Sequence, residues 1–291
     1  MSTIEKALAK KKARSNQSVD DKPEAPEQEA SSILTTEQSK DNIHVNNTVI
    51  NINNDRLTER GFIHTGGDTT HIQEEFRHIK RKLINNAFGP VSKTLKNSNL
   101  IMVSSSNPNE GKTFVSINLA LSIALEQDKT VLLIDADVLR PSVHRELEFE
   151  NNKGLLDYLR SDVSDLSEII YSTSISNLKI MPAGTTHHLT NELLASDRMA
   201  KLARELADRY PDRIVIFDCP PLLGVTETPV LASLVGQGIV VVEESKTKLE
   251  HVKSATAQLD ENLAVGFIIN KTIKTSKDVY GYYGYGYGDK R

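Results

Sequence analysis

The chain has 291 residues, which is enough for a self-sufficient globular protein without disulfides or structural metals. Its 35 basic and 39 acidic residues give a formal net charge of -4, so it lacks the global positive field that drives non-specific nucleic-acid binding. Cys219 is its single cysteine, which excludes an internal disulfide framework and favours a cytoplasmic location. No apolar run reaches the roughly 18 to 20 residues of a membrane span. We therefore expect neither nucleic-acid binding nor insertion of the chain itself into a membrane.

Residues 1–70 are rich in small polar and charged side chains and poor in large apolar ones. Such a segment buries too little surface to offset the entropy lost when it is ordered, which predicts a largely disordered arm over residues 1–70. At its start, Ile4, Ala7 and Leu8 have helical spacing among basic residues. This pattern predicts either a short helix that folds on an acidic surface or a solvated basic segment.

From His71 onward, apolar runs typical of strands alternate with patterns typical of helices. Strands are predicted at residues 100–104, 130–134, 178–181, 213–217, 238–242 and 265–269, and helices at 114–126, 155–160, 198–210, 227–234 and 249–259. Strands rich in Val, Ile and Leu with helices between them indicate a parallel sheet that is covered on both faces. The predicted fold is a doubly wound α/β domain of the phosphate-loop type over residues 71–272, followed by a tail over residues 273–291. Its functional loops should follow the carboxyl ends of the strands.

The loop after the first of these strands matches a phosphate-binding loop, with a strand before it and a helix after it. Its backbone would cradle the β- and γ-phosphates of a nucleotide, Lys112 would neutralise them, and the Thr113 hydroxyl would bind Mg²⁺. Ser106 stands where the strict pattern has glycine. The residues assigned to nucleotide binding are Ser106, Asn107, Pro108, Asn109, Glu110, Gly111, Lys112 and Thr113.

Three carboxylates follow two other predicted strands. Asp135 and Asp137 come after the strand at 130–134, and Asp218 directly follows the strand at 213–217. A lone aspartate at a strand end is commonly a turn or cap residue. Acids gathered beside a phosphate loop, however, need a cation or a transferring proton to stabilise them, and Asp218 has the position of the second metal-binding acid of phosphate-loop enzymes. The three acids therefore favour a catalytic site.

These motifs resemble those of the bacterial protein-tyrosine kinases of exopolysaccharide and capsule assembly, over residues 71–291. The stretch from Glu74 to Arg81 and the first eight residues look like the exosortase-associated tyrosine autokinase subgroup. The resemblance implies that ATP is the phosphoryl donor, that Lys112, Asp135 and Asp137 are catalytic, and that Thr113, Asp135 and Asp218 hold Mg²⁺. Asn270 is a candidate contact for adenine, as similar motifs are in related ATPases, or a turn residue.

The resemblance also assigns roles to the tail and to the first predicted helix. Five of the eight tyrosines alternate with glycines near the end of the chain, which favours an exposed flexible strip. In a kinase this strip would be a substrate for phosphorylation. Without the ATP motif, the same composition would indicate a low-complexity adhesive tail. The predicted phosphorylation sites are Tyr280, Tyr282, Tyr283, Tyr285 and Tyr287. Glu74, Arg77 and Lys80 match a helix that mediates assembly into a homo-oligomer, and the other interpretation is a solvated charged face.

The predicted function is therefore an ATP-dependent protein-tyrosine autokinase that regulates exopolysaccharide biosynthesis or export. The resemblance implies a membrane polysaccharide copolymerase, or chain-length determinant protein, as activator, a cognate tyrosine phosphatase, and a peripheral position at the inner face of the cell membrane through that partner. One alternative is an ATPase of the partition or septum-positioning type, which carries an additional lysine early in the loop, although residues 104–110 contain none. Another is a non-catalytic ATP-binding regulator, which has no need of the full set of acids.

Overall fold

The computed structural model describes residues 48–64, 70–210 and 212–273. Its strands are β1 (Val49–Ile50), β2 (Leu100–Ser105), β3 (Thr130–Asp135), β4 (Tyr171–Thr173), β5 (Leu178–Met181), β6 (Arg213–Asp218), β7 (Gln237–Glu243) and β8 (Ala264–Asn270). Its α-helices are α1 (Asn54–Glu59), α2 (His71–Phe88), α3 (Lys112–Ala124), α4 (Val143–Glu146), α5 (Leu155–Leu159), α6 (Thr190–Leu194), α7 (Asp197–Asp208), α8 (Glu227–Ala232) and α9 (Leu249–Thr256). The predicted phosphorylation sites lie outside the described residues.

The strands form one sheet in the order β1-β4-β5-β3-β6-β2-β7-β8. The six strands from β5 to β8 in this order are parallel, whereas β4 is antiparallel to β5 and β1 is parallel to β4. The predicted doubly wound α/β fold is thus confirmed, with a short reversed edge that the sequence analysis did not include. In the described part of the chain, no helix is both long and apolar enough to cross a bilayer.

The central strands are buried on both faces, which explains their continuous apolar runs. Successive residues of β2 alternate between two hydrophobic cores, so that Leu100 and Met102 pack on one side of the sheet and Ile101 and Val103 on the other. Helices α2 and α3 contribute to the second core, and α5, α7 and α8 contribute to the first. This alternation fixes the register, because a slip of one residue would exchange the two faces.

The register also aligns the ends of three neighbouring strands. Asp135, the last residue of β3, lies opposite Asp218, the last residue of β6. On the other side of β6, Val103 of β2 lies opposite Asp218, and the predicted phosphate loop begins just beyond β2. The fold therefore brings the loop and the acids to one edge of the sheet.

The sequence pattern predicts that order begins near residue 71, but the described residues before it also contain regular structure. Residues 48–64 form β1 and α1, and the side chains of Leu57, Phe62 and Ile63 are almost fully buried in the second core. The side chain of Asn53 caps α1 by accepting hydrogen bonds from two backbone amides. The apolar residues of this segment are scattered over a polar stretch and give no helical periodicity, and their contacts with the rest of the fold order the segment.

Candidate active site

The phosphate loop has two residues in the left-handed region. Asn109 has φ of 67° and Gly111 has φ of 96°, so that the loop turns sharply before α3 begins at Lys112. A Cβ atom at Gly111 would lie 2.0 Å from Asn270 Nδ2. Glycine is therefore required here both by the backbone angle and by the close approach of the strand end.

Side chains from the loop after β7 and from the end of β8 hold the phosphate loop in shape. The buried carboxylate of Glu110 accepts hydrogen bonds from the Asn107 backbone N–H at 2.9 Å and from Thr247 Oγ1 at 2.6 Å. Asn270 Nδ2 donates to the Glu110 carbonyl at 2.9 Å, and Lys271 Nζ donates to the Asn109 carbonyl at 2.7 Å. Asn270 thus lies against the phosphate loop itself, and its contact with adenine stays a prediction.

Lys112 is almost fully buried among the three acids. Its Nζ lies 2.6 Å from Asp137 Oδ2 and donates to Thr113 Oγ1 at 3.4 Å. Burial by itself would lower the pKa of Lys112, but the charges of Asp218, Asp137 and Asp135 outweigh it and raise the pKa. The ammonium group therefore stays charged at neutral pH.

Asp218 is fully buried and is bound by hydroxyl groups of α3. Its two carboxylate oxygens accept hydrogen bonds from Thr113 Oγ1 at 2.7 Å and from Ser116 Oγ at 3.0 Å. Thr113 Oγ1 also lies 2.8 Å from Ser142 Oγ, and Ser142 is the donor because the single hydroxyl hydrogen of Thr113 goes to Asp218. Burial raises the pKa of Asp218.

Asp135 is held at the start of α4. Its Oδ2 accepts hydrogen bonds from the backbone N–H groups of Ser142 and Val143 at 2.9 and 3.0 Å. Its Oδ1 is buried and has no hydrogen-bond partner among the described residues. Burial and the neighbouring charge of Asp218 raise the pKa of Asp135 to about 8. One oxygen of this carboxyl group is therefore free to accept a proton or to face a cation.

The donor set fits Mg²⁺ bound together with a nucleotide. Among the described residues, no three His, Cys, Asp or Glu side chains come together in a way that could hold a metal by themselves. Mg²⁺ is commonly bound by one or two carboxylates, with waters and substrate phosphates as the other ligands. The Thr113 hydroxyl, the Asp218 carboxylate and the unpartnered Asp135 Oδ1 supply such a partial set.

A cleft of about 680 Å³ opens in front of these groups. Its wall combines polar groups from the loop and from the chain after β3 with an apolar side from α3 and the loop after β6. The polar residues are Asn109, Lys112, Thr113, Asp137, Arg140, Ser142, Arg145 and Glu146, and the apolar ones are Pro108, Phe114, Leu139, Pro220, Pro221, Leu223 and Val225. Sequence analysis assigned no role to Ser142 or Arg145, because a serine and an arginine in a short irregular segment carry no motif.

The three predicted assembly residues on α2 have different surroundings. Arg77 Nη1 pairs with Glu74 Oε1 at 2.6 Å on the exposed face of the helix. Lys80, by contrast, is buried, and its Nζ lies 2.6 Å from Glu126 Oε1 and donates to the Ser122 carbonyl at 2.8 Å. Lys80 thus joins α2 to the end of α3, so only Glu74 and Arg77 present their charged groups to solvent.

Comparison with known proteins gives three similarities. A model of the AAA domain family matches residues 98–264. The chain is 32% identical over 213 residues to the tyrosine-protein kinase YwqD of Bacillus subtilis, an alignment that covers 72% of this chain and 86% of YwqD. It is also 32% identical over 194 residues to the tyrosine-protein kinase Wzc of Salmonella typhimurium, covering 65% of this chain and 26% of Wzc.

Among solved structures, the kinase domain of the Escherichia coli tyrosine kinase ETK superposes with a TM-score of 0.60 at 25% identity. This superposition covers 82% of the present chain and 95% of the ETK domain. The residues matched by the AAA domain model include the phosphate loop and all three acids. The similarity therefore spans the cleft as well as the sheet.

Proposed function

Because the chain belongs to the family of bacterial tyrosine-protein kinases, we propose that it transfers the γ-phosphoryl group of ATP to tyrosine hydroxyls. One observation carries the proposal. A buried lysine and a threonine hydroxyl of the phosphate loop lie within hydrogen-bond distance of carboxylates from β6 and from the chain after β3. A module that only binds nucleotide has no need of this combination.

The proposed roles follow from the contacts of each group. Lys112 exchanges its ion pair with Asp137 for contacts with the phosphates and stabilises their charge during transfer. Thr113, Asp218 and Asp135 would hold Mg²⁺, which would neutralise charge on the phosphate oxygens. Asp135 and Asp137 assist the attacking hydroxyl, since carboxylates beside the phosphate loop can accept its proton.

The proposed acceptors are the tail tyrosines Tyr280, Tyr282, Tyr283, Tyr285 and Tyr287. The tail begins just after β8, whose last residue, Asn270, contacts the phosphate loop. Tyr287 is 17 residues from Asn270 and can reach at most about 56 to 61 Å from it, so that length alone permits transfer within one chain or between two. We propose transfer between subunits of a homo-oligomer that assembles through the exposed Glu74 and Arg77 face of α2.

We also propose a regulatory context for this kinase. Its activity would regulate exopolysaccharide biosynthesis or export, with a membrane polysaccharide copolymerase as activator and anchor at the inner face of the cell membrane. A cognate tyrosine phosphatase would reverse the modification. The resemblance to the kinases of capsule assembly supports these partners, and co-purification of the chain with membranes only when a copolymerase is co-expressed would test the anchor.

The central test is to incubate the purified chain with Mg-ATP and to measure phosphotyrosine. Lys112→Met should lower the rate by about 10²- to 10³-fold, because the loop backbone remains while the charge on the phosphates is lost. Wild-type activity in this variant would contradict the role of the loop. Phosphate release without phosphotyrosine would instead indicate an ATPase of the partition type.

A mixing experiment tests transfer between subunits. A Lys112→Met chain supplies a tail without activity, and a chain with its five tail tyrosines changed to Phe supplies activity without a tail. The tail of the first chain should become phosphorylated in the mixture. If it stays unmodified under conditions in which the wild type is modified, transfer is intramolecular.

A further inference from the structure

Arg60, which directly follows α1, binds the carboxyl-terminal end of α4. Its Nη1 donates to the backbone carbonyls of Arg145 and Glu146 at 3.3 and 3.2 Å. The same nitrogen lies 3.3 Å from Glu146 Oε2, and Nη2 lies 2.8 Å from Glu148 Oε1. One guanidinium group thus binds both the helix end and the turn after it.

The other end of α4 binds an acid of the candidate active site. The backbone N–H groups of Ser142 and Val143 donate to Asp135 Oδ2. Because α4 has only four residues, its internal hydrogen bonds contribute little stability. Its position is therefore set by Val143, which is buried in the second core, and by the groups bound at its two ends. These are a carboxylate at the amino end and a guanidinium at the carboxyl end.

The turn after α4 needs external support. Glu148 has φ of 56°, a left-handed conformation that is unfavourable for a residue other than glycine. Its carboxylate pairs with Arg60, which holds the turn in this conformation. Loss of the arginine would therefore release both the carbonyls of α4 and the strained residue that follows them.

Arg60 is itself fixed to the helix that carries the phosphate loop. Two residues later, the ring of Phe62 packs against Phe114 of α3 at 5.3 Å between centroids. The backbone N–H of Ile63 donates to the buried Asn118 Oδ1 of α3 at 2.8 Å. The segment that bears Arg60 therefore bridges α3 and α4, the two helices that flank the cleft.

We propose that Arg60 is a positioning residue for phosphoryl transfer, which holds α4 so that its amino-terminal amides keep Asp135 in place. The proposal rests on the proposed kinase function for its effect on rate. Arg60 lies outside the residues 98–264 that the AAA domain model matches. Arg60 thus supports that domain from the segment of the chain that precedes it.

The test compares Arg60→Met with Arg56→Met in the full chain. Arg56 lies on α1, four residues before Arg60, and its Nε also lies 3.8 Å from Glu148 Oε2. In the described part of the chain its side chain contacts Glu59 and Glu148 and no carbonyl of α4. We expect Arg60→Met to lower the turnover number for autophosphorylation by about tenfold, the effect of losing one charge-assisted hydrogen bond. Binding of a fluorescent ATP analogue should stay unchanged, and Arg56→Met should behave as the wild type in both measurements.

Hydrogen exchange supplies a readout that does not depend on activity. Peptides that cover residues 140–149 should exchange faster in Arg60→Met than in the wild type or in Arg56→Met, while peptides from β2 and β6 stay unchanged. Arg60→Lys, which keeps the charge and one possible contact to a carbonyl, should fall between the wild type and Arg60→Met in both rate and exchange.

Equal behaviour of Arg60→Met and Arg56→Met would overturn the proposal. Faster exchange at residues 140–149 with unchanged turnover would also overturn it, since Arg60 would then support only the local fold. If the wild type formed no phosphotyrosine, the proposed kinase function would fail. The exchange measurement would still decide whether Arg60 holds α4.

Discussion

At the scale of single residues, the candidate active site places one buried cation among three buried acids. Asp135 and Asp218 are at most 1% exposed, and Lys112 is 9% exposed. Removing such groups from water is unfavourable unless each finds a partner. The hydroxyls of α3 and the amides at the start of α4 supply most of these partners. Asp135 Oδ1 has none among the described residues, and a bound cation or proton would provide its missing partner.

Gly111 offers a test of the loop geometry. Gly111→Ala should lower the free energy of unfolding by about 1–2 kcal/mol from its positive φ alone, and by more because its Cβ displaces Asn270 from the Glu110 carbonyl. Gly61→Ala is the matched control, because its φ is 73° and no atom lies within 4 Å of the added Cβ. Urea denaturation should show a larger loss for Gly111→Ala, and adding Asn270→Ala should remove only the excess. Equal losses would mean that the contact with Asn270 is unimportant.

Cys219 should be inert in the folded chain. It is fully buried beside Asp218, and burial raises the pKa of its thiol well above the usual value. Since the thiolate is the nucleophile, iodoacetamide at pH 8 should leave native Cys219 unmodified and should label the urea-unfolded chain. Mass spectrometry measures the labelling, and rapid modification of the native chain would contradict the burial.

At the scale of secondary-structure elements, α2 has two distinct faces. A capping box between Thr70 and Gln73 begins the helix, and Phe76, Lys80, Leu83 and Ala87 form its buried face. Glu74 and Arg77 lie on the exposed face. Of the three residues predicted for assembly, Lys80 therefore supports the fold, whereas Glu74 and Arg77 lie on the exposed surface.

Variants at Arg77 and Lys80 should therefore have different effects. Lys80→Ala should lower the free energy of unfolding by about 1–3 kcal/mol, because the Ser122 carbonyl and Glu126 lose a buried partner. Arg77→Ala should change it by less than about 0.5 kcal/mol, since its pair with Glu74 is half exposed. Light scattering should show weaker self-association of Arg77→Ala at unchanged stability. Equal destabilisation by the two variants would contradict this division.

At the scale of the whole molecule, the segment over residues 48–64 completes the second hydrophobic core. Its β1 extends the sheet beyond β4, and its apolar side chains pack among residues of β2, β3 and α3. The folded unit is therefore larger than the region that the family model matches. The same segment carries Arg60, which binds the end of α4. The stability of the segment and the geometry of the active site are therefore linked.

Removal of this segment should destabilise the protein strongly. A chain that starts at residue 65 loses Leu57, Phe62 and Ile63 from the core, and full burial of each such side chain contributes about 1.5–3 kcal/mol. The control is a chain that starts at residue 48. Urea denaturation should give a clearly lower midpoint for the shorter chain. Identical midpoints would show that the segment adds no stability.

The sequence by itself determined the features whose signal lies in adjacent residues. The predicted strand at 178–181 coincides with Leu178–Met181, and the strand predicted at 100–104 differs by one residue from Leu100–Ser105. The phosphate loop is contiguous, Asp135 and Asp218 directly follow apolar runs, and Asp137 comes two residues after Asp135. The parallel order of the strands then brings these acids to the loop, because the carboxyl ends of parallel strands share one edge.

Only the tertiary structure decided the features that depend on partners distant in sequence. Helical spacing could not identify the partners that allow the charged Lys80 to be buried, since they lie on α3 and just after it. The sequence pattern also could not predict that residues 48–64 are ordered, or that Arg60 contacts Arg145 of α4, 85 residues away. These contacts form only when the sheet and its helices are assembled, because the burial and charge that stabilise them come from other elements. The local pattern thus determined the elements and the chemistry of the site, and the packing decided which side chains support it.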